Sequence, residues 1–163
     1  MTNQNAISSE ENVARILSKG WVVNGVLQHT AFMLRDGETY ISVNRPAVDS
    51  YVSDVASFVK GHKSFISTQG NIISYQRAIL NVGSIRSIAV KAEGQPLAVD
   101  VEVEPRDVFT KSHAGIFTRF NNNNVKTGST LAVCQEKNLS ADVVLLKVRL
   151  ALVRLASVET CYI

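Results

Sequence analysis

Residues 99–104 read VDVEVE, and this strict alternation of apolar and acidic residues decides the fold class. The three valines share one face of a strand, and the carboxylates of Asp100, Glu102 and Glu104 share the other. A strand with one dry and one wet face is typical of an antiparallel sheet. We therefore predict a hairpin from Ser84 to Glu104 that turns at Glu93-Gly94-Gln95-Pro96.

A second hairpin is predicted earlier in the chain. Asp36-Gly37 separates Ala31 to Leu34 from Thr39 to Val43, and both turn residues tolerate the positive φ of a tight hairpin turn. The other short strand candidates are Phe65 to Ser67, Ile72 to Ile73, Tyr75 to Leu80 (with a helical turn as the alternative) and Thr130 to Cys134.

Three stretches are predicted to be helices. Glu10 to Ser18 places Val13, Ile16 and Leu17 on one face at i, i+3, i+4 spacing. A second helix is capped by Asp49 or Ser50 and ends at Gly61. Its apolar stripe consists of Val52, Val55, Ala56 and Val59.

The third predicted helix is Ser140 to Ser157, a stretch whose sequence fits two kinds of structure. Its length favours a helix, but its alternating Val and Leu residues also fit a strand. With the helix preferred, the fold class is α+β: a mainly antiparallel sheet with two or three helices packed on it, the C-terminal helix being apolar.

Length and composition favour one globular domain. The chain has 163 residues, of which 45% are hydrophobic and 19% charged, so we expect a single domain over residues 1–163 with a flexible segment at 1–8. The longest aliphatic run, Val143 to Leu146, excludes a membrane-spanning helix. The polar N-terminus does not resemble a secretory signal, so a cytoplasmic location is expected.

The two cysteines are too few for a disulfide scaffold. We interpret Cys134 and Cys161 as small, half-buried apolar residues. A single bridge between them, which would require an oxidising compartment, is the alternative.

The net charge of +3 arises in the last third of the chain, where residues 106–163 carry 8 Lys/Arg against 4 Asp/Glu. Phe109, Phe117 and Phe120 lie among basic and amide residues there, a mixture that single-stranded nucleic-acid binders use. The rings are more simply explained as core anchors, so nucleic acid is an unlikely partner.

Catalytic motifs are missing from the sequence. The three histidines have no metal-ligand spacing, and no glycine-rich nucleotide motif occurs, so neither a metal nor a cofactor is expected. The carboxylates of residues 100–104 could flank a cation, but we interpret them as a charged outer face that prevents strand pairing.

His113 is the candidate catalytic residue, because a histidine near a strand end can act as a general acid or base. An exposed loop histidine is the simpler explanation. Arg35, Arg119 and His29 are the candidate ligand-binding residues, the arginines because they can hold an anion in two hydrogen bonds.

Three functions follow from these features. The first is a non-catalytic binding or assembly module that forms a homo-oligomer through Val143 to Leu155, with a possible anionic small ligand. The second is a metal-independent enzyme for a phosphorylated or nucleotide-like substrate, which requires His113 and Arg35 or Arg119 in one cavity. The third is weak binding of single-stranded nucleic acid by the basic last third.

Overall fold

The computed structural model describes residues 7–34, 38, 40–92, 94–103, 110–122, 125–126 and 141–163. Their α-helices are α1 (Tyr51–Gly61), α2 (Val82–Arg86) and α3 (Ala141–Leu155), and shorter 3-10 helices span Lys19–Trp21, His29–Phe32 and Lys63–Phe65. The strands are β1 (Asn12–Leu17), β2 (Val22–Val23), β3 (Val26–Leu27), β4 (Ile41–Asn44), β5 (Ser67–Gln69), β6 (Ile72–Asn81), β7 (Val90–Ala92), β8 (Gln95–Val103), β9 (His113–Asn122), β10 (Val125–Lys126) and β11 (Ser157–Tyr162).

One large antiparallel sheet organises the molecule, as the sequence predicts. Its strand order is β11-β6-β1-β4-β9-β8-β7, with β5 attached to β6 and β10 to β9. All of these pairs are antiparallel. Helices packed on this sheet make the fold α+β, so the predicted fold class is confirmed.

The sheet is covered on both faces. On one face, α2, α3 and the 3-10 helix His29–Phe32 bury the larger core, in which Phe32, Ile85 and Leu152 are almost fully buried. On the other face, α1 and Phe65 cover a smaller core around Ala14 and Ile16. The central strands therefore have apolar residues on both sides.

The predicted first helix, Glu10 to Ser18, is wrong: this segment forms strand β1. It pairs with β6 from Asn12 opposite Asn81 to Leu17 opposite Gln76. A strand buried on both faces shows a continuous apolar run instead of alternation. The helical spacing of Val13, Ile16 and Leu17 is a by-product of that run. The neighbouring Ile7, which we placed in the flexible N-terminal segment, is buried in the larger core.

The hairpin predicted around Asp36-Gly37 is half wrong. Ile41–Asn44 is a strand with Ile41 and Val43 buried. The partner segment instead contains the 3-10 helix His29–Phe32, which buries the consecutive residues Ala31 and Phe32, as an alternating strand could not. Residues 35–37 lie outside the described residues.

Helix α1 forms where predicted, but with a rotated buried face. Tyr51, Val55 and Val59 are buried, whereas Val52 is 76% exposed. The hydroxyl of Ser50 does not cap the helix and instead donates to the carboxylate of Asp54.

The hairpin of residues 84–104 is shorter than predicted. Val82–Arg86 is helix α2, and β7 and β8 form the hairpin with Val90 opposite Leu97. Leu97, Val99 and Val101 are buried, as the alternation requires. Glu104 and the candidate strand Thr130 to Cys134 lie outside the described residues.

The C-terminal prediction of a helix is confirmed over Ala141–Leu155. Val144, Val148 and Leu152 form its buried face at i, i+4, i+8 spacing. The chain then continues as β11, which pairs with β6 at one edge of the sheet. Among the described helices, none has the length and apolar character needed to cross a membrane.

Candidate functional site

A cavity of about 530 Å³ lies between α1 and the face of the sheet that α1 covers. The sheet contributes Ser42 and Asn44 from β4 and His113 from the first position of β9. These three side chains share one face because Asn44 pairs directly with His113 and Ser42 lies two residues from Asn44. The cavity therefore has a polar floor held by two central strands.

Ser42 and His113 are in contact on this floor. The distance between Ser42 Oγ and His113 Nε2 is 2.5 Å, which is a short hydrogen bond. In the register, Ser42 pairs with Gly115, so Ser42 and His113 are diagonal neighbours across the two strands. Both side chains line the cavity and are half-buried.

Arg15 enters the cavity through a gap between β1 and β4. These strands pair at one position, Ala14 opposite Asn44. Beyond it, Arg15 Nη1 donates to the carbonyl oxygen of Ser42 at 2.7 Å, and Nε donates to that of Ala31 at 3.1 Å. The guanidinium also lies 5.0 Å from the centre of the Trp21 ring. A fixed positive charge thus lies beside Ser42.

A buried hydrogen-bond network connects α1 to the residue before His113. Ser112 is fully buried, and its backbone N–H and hydroxyl both donate to Asp54 Oδ2, at 3.1 and 2.6 Å. Asn44 Nδ2 donates to the Ser112 hydroxyl at 3.0 Å. The network fixes the backbone at the start of β9 and with it the direction of His113.

The carboxylate of Asp54 remains ionised in this network. Burial alone would raise its pKa, but the hydrogen bonds from Ser112 and Ser50 outweigh burial and hold the pKa below its usual value of 3.8. All three of these hydrogen bonds end on Oδ2, and Asp54 also lines the cavity. Glu38 adds a second carboxylate to the lining.

The remaining wall of the cavity is aromatic. It contains Trp21, Phe58 and Phe65. Trp21 meets Phe65 edge to face at 5.8 Å between ring centres, and Phe58 meets Phe65 at 4.9 Å. The cavity lining therefore combines aromatic rings with charged and hydroxyl groups, and one of these rings, Trp21, lies beside the guanidinium of Arg15.

The structure places one predicted site residue, His113, in this cavity. Arg119 lies on the same face of β9 but about 20 Å further along the strand, at the usual rise per residue, and pairs with Glu102 at 2.7 Å. His29 lies in a 3-10 helix and is not part of the lining. Arg35 lies outside the described residues. The pairing of His113 with Arg119 in one cavity is wrong.

Sequence reasoning missed Arg15, Ser42, Asp54 and Trp21. A charge between two apolar neighbours, Ala14 and Ile16, was the available signal for Arg15. Interpretation of the segment as an amphipathic helix hides this signal, because a polar side chain on such a helix faces solvent. Ser42 and Asp54 carry no local signal.

The acidic residues Asp100 and Glu102 of β8 form neither the charged outer face nor the cation site considered from the sequence. Asp100 pairs with Arg86 at 2.6 Å, and Glu102 pairs with Arg119 at 2.7 Å. Both carboxylates are mostly buried by these contacts, so they are neither a solvated outer face nor a cation site. The part of the chain that the structure describes contains no cluster of three metal-ligating side chains.

The phenylalanines of the basic region are divided between two environments. Phe120 is buried in the core, as the simpler interpretation expects. Phe117 is half-buried and lies beneath the guanidinium of Arg119 at 4.2 Å. Phe109 is outside the described residues.

Cys161 is a half-buried free thiol in β11, and Cys134 lies outside the described residues. Cys161 pairs with Tyr75 in the sheet. Burial, the neighbouring Tyr51 and Cys161 raise the pKa of Tyr75 above its usual value of 10.0. Tyr75 is therefore a neutral phenol, and it belongs to the structural contacts of β11.

The chain matches no known protein family, and neither the curated proteins nor the solved structures contain a detectable relative.

Proposed function

We propose that the protein binds a small organic molecule in the cavity between α1 and the sheet. The observation that carries this proposal is a lining that combines three aromatic rings with hydroxyl, amide and charged side chains. Its volume of about 530 Å³ lies within the range of small-molecule sites, about 300–1,000 Å³. Apolar walls with a few convergent polar groups are the usual composition of such sites.

The aromatic wall and the polar groups of the cavity together define the chemistry of the ligand. A flat ring or a planar conjugated group fits Trp21, Phe58 and Phe65. An acidic group on the same molecule suits the positive charge of Arg15, and N–H or O–H groups suit the carboxylate of Asp54. The proposal keeps the binding module expected from the sequence and takes Arg15 as its cationic residue in place of Arg119.

Trp21 makes the proposal testable without knowledge of the natural ligand. It is the sole tryptophan of the chain and lines the cavity. The probe 8-anilinonaphthalene-1-sulfonate combines flat rings with an anionic group, so it matches both the aromatic wall and the polar groups. We expect saturable quenching of Trp21 emission, with energy transfer to the dye.

Two matched variants on α1 locate the binding. Ser57 and Ser53 are both exposed residues of α1 one turn apart, but only Ser57 lines the cavity. Ser57→Phe should fill the cavity and raise the dissociation constant at least about tenfold, a difference of about 1.4 kcal/mol. Ser53→Phe should leave it unchanged. Equal affinities in both variants, with near-ultraviolet circular dichroism intact, would refute this site.

A further inference from the structure

We infer that the cavity hydrolyses a carboxylic ester, with Ser42 as the nucleophile and His113 as its general base. This inference rests on the proposed binding cavity and adds a reaction to it. The starting observation is the contact of 2.5 Å between Ser42 Oγ and His113 Nε2. A serine hydroxyl is a weak nucleophile until an adjacent base accepts its proton, and this contact supplies that base.

The pair is held by rigid elements. Ser42 and His113 lie on adjacent strands, β4 and β9, which are central in the sheet. Reactive groups on strands are positioned more precisely than groups on loops. Both residues line the cavity, so a bound molecule can reach the Ser42 hydroxyl.

Arg15 supplies positive charge at the nucleophile. Its Nη1 donates to the carbonyl oxygen of Ser42, and Nε donates to that of Ala31, which together hold the guanidinium in place. We assign to this cation, which is held next to the backbone of the nucleophile, the stabilisation of the oxyanion that forms during acyl transfer. The charge is already in place before the substrate binds.

Asp54 acts on His113 through Ser112 and is a positioning residue. The Asp54 carboxylate accepts hydrogen bonds from the backbone N–H and the hydroxyl of Ser112, the residue that precedes His113. It also places a negative charge in the cavity lining, which favours the positively charged imidazolium formed during the reaction.

The reaction proceeds in two balanced steps. Ser42 Oγ attacks the ester carbonyl carbon while its proton passes to His113 Nε2. The C–O bond to the alcohol then breaks, and the alcohol leaves with the proton from His113. In the second step, water attacks the acyl carbonyl carbon while His113 accepts a proton of that water. The bond between the acyl carbon and Ser42 Oγ then breaks, His113 returns the proton to Ser42 Oγ, and the carboxylic acid is released.

The aromatic wall selects the class of ester. Trp21, Phe58 and Phe65 line the same cavity as Ser42, so a flat aryl group can pack on the rings while the carbonyl carbon meets Ser42. An aryl alcohol is also the better leaving group, because its oxygen is less basic than that of an alkyl alcohol. The substrate class is therefore an aryl ester.

The experiment uses an alkyl fluorophosphonate, which forms a stable bond with activated serines. Ser42 Oγ attacks phosphorus, the P–F bond breaks, fluoride leaves and His113 takes the serine proton. Intact mass spectrometry should show one adduct, and peptide mapping should place it on Ser42.

Variants separate the roles of the two residues. Ser42→Ala should take no label, and His113→Gln should label at least about 100-fold more slowly, the usual effect of removing a general base. The exposed Ser53→Ala on α1 should label at the wild-type rate. Ser42→Cys gives a second readout, because iodoacetamide should alkylate it faster when His113 is present than in the double variant with His113→Gln.

Each other result overturns the inference. Dye binding in the cavity without any label on Ser42 would leave a binding protein and remove the nucleophile. Labelling of Ser42 that His113→Gln does not slow would remove the general base. Absence of both dye binding and label would refute the cavity and the reaction together.

Discussion

The guanidinium of Arg15 replaces a missing strand contact by donating to the carbonyl oxygen of Ser42 at 2.7 Å. The strands β1 and β4 pair at Ala14 and Asn44 and then separate, which removes the usual backbone partner of that carbonyl. A buried carbonyl without a donor is costly, and the side chain of Arg15 supplies the donor. Arg15 therefore has two roles in the gap between β1 and β4. It satisfies the carbonyl oxygen of Ser42, and it places a positive charge in the lining of the cavity.

Arg15→Met should destabilise the protein by about 1–3 kcal/mol, since it leaves the carbonyl oxygens of Ser42 and Ala31 without their donors. Arg15→Lys should recover part of this loss, because a single ammonium can reach only one of the two positions well. Urea unfolding measures both effects. Lys91→Met, at an exposed position of β7, is the control and should change the free energy of unfolding by less than about 0.5 kcal/mol.

Asp54 should make the stability of the protein depend on acid pH. Its pKa in the folded protein is below 3.8, so its contribution is complete above the unfolded-state pKa and is lost as the pH falls through the folded-state pKa. Asp54→Asn should therefore be less stable than the wild type at pH 7, and the difference should shrink towards about pH 3. Ser53→Ala, at an exposed position of the same helix, is the control and should show no such convergence.

Ser112→Ala tests the other end of the same network. The buried hydroxyl donates to Asp54 and accepts from Asn44, so its removal leaves these two half-buried side chains each short of one partner. We expect a loss of about 1–3 kcal/mol in the free energy of unfolding. A change near zero would show that water enters and replaces the hydroxyl.

Gly115, which lies opposite Ser42 in the sheet, leaves room for the rings of Tyr40 and Phe117. A Cβ at this position would lie 2.5 Å from Cδ2 of Tyr40 and 2.9 Å from Cε2 of Phe117. Gly115→Ala should cost about 1–3 kcal/mol through overpacking, and Tyr40→Ala should reduce that cost in a double-mutant cycle. Gly20→Ala, where nothing lies within 4 Å, should change the free energy of unfolding by less than about 0.5 kcal/mol.

Sequence patterns correctly predict a strand when only one of its faces is buried. In β8 the buried Leu97, Val99 and Val101 alternate with polar residues, and the pattern can be read directly. In β1 both faces are buried, so the alternation disappears and the run resembles a helix stripe. The sequence of α3 fits both a helix and an alternating strand. Its length favours the helix, and this prediction is correct.

The candidate site was much less predictable than the fold. Arg15, Ser42 and His113 come from β1, β4 and β9, which are adjacent in the sheet but distant in the chain. A single sequence does not contain strand order, so nothing local marks these residues as neighbours. His113 was identified because histidine chemistry is recognisable without neighbours, whereas a serine or an arginine becomes informative only beside its partners.

Self-association through Val143 to Leu155 stays a prediction. Val143 and Leu150 are 52% and 39% exposed on the outer side of α3, with Lys147 between them also exposed. If this surface joins two copies, Leu150→Glu should convert the assembly to a monomer at tens of micromolar. Sedimentation velocity measures this directly, and a monomeric wild type at that concentration would contradict the prediction.

The same helix provides a matched pair of variants for its inner face. Leu152 is fully buried in the larger core, while Leu150 is 39% exposed. Leu152→Ala should lower the free energy of unfolding by about 2–5 kcal/mol, because it removes buried apolar surface and leaves a cavity beneath α3. Leu150→Ala deletes the same atoms from a partly solvated position and should cost less than about 1 kcal/mol in the monomer. Equal losses in monomeric protein would mean that α3 packs on the sheet through a different face from the one containing Val144, Val148 and Leu152.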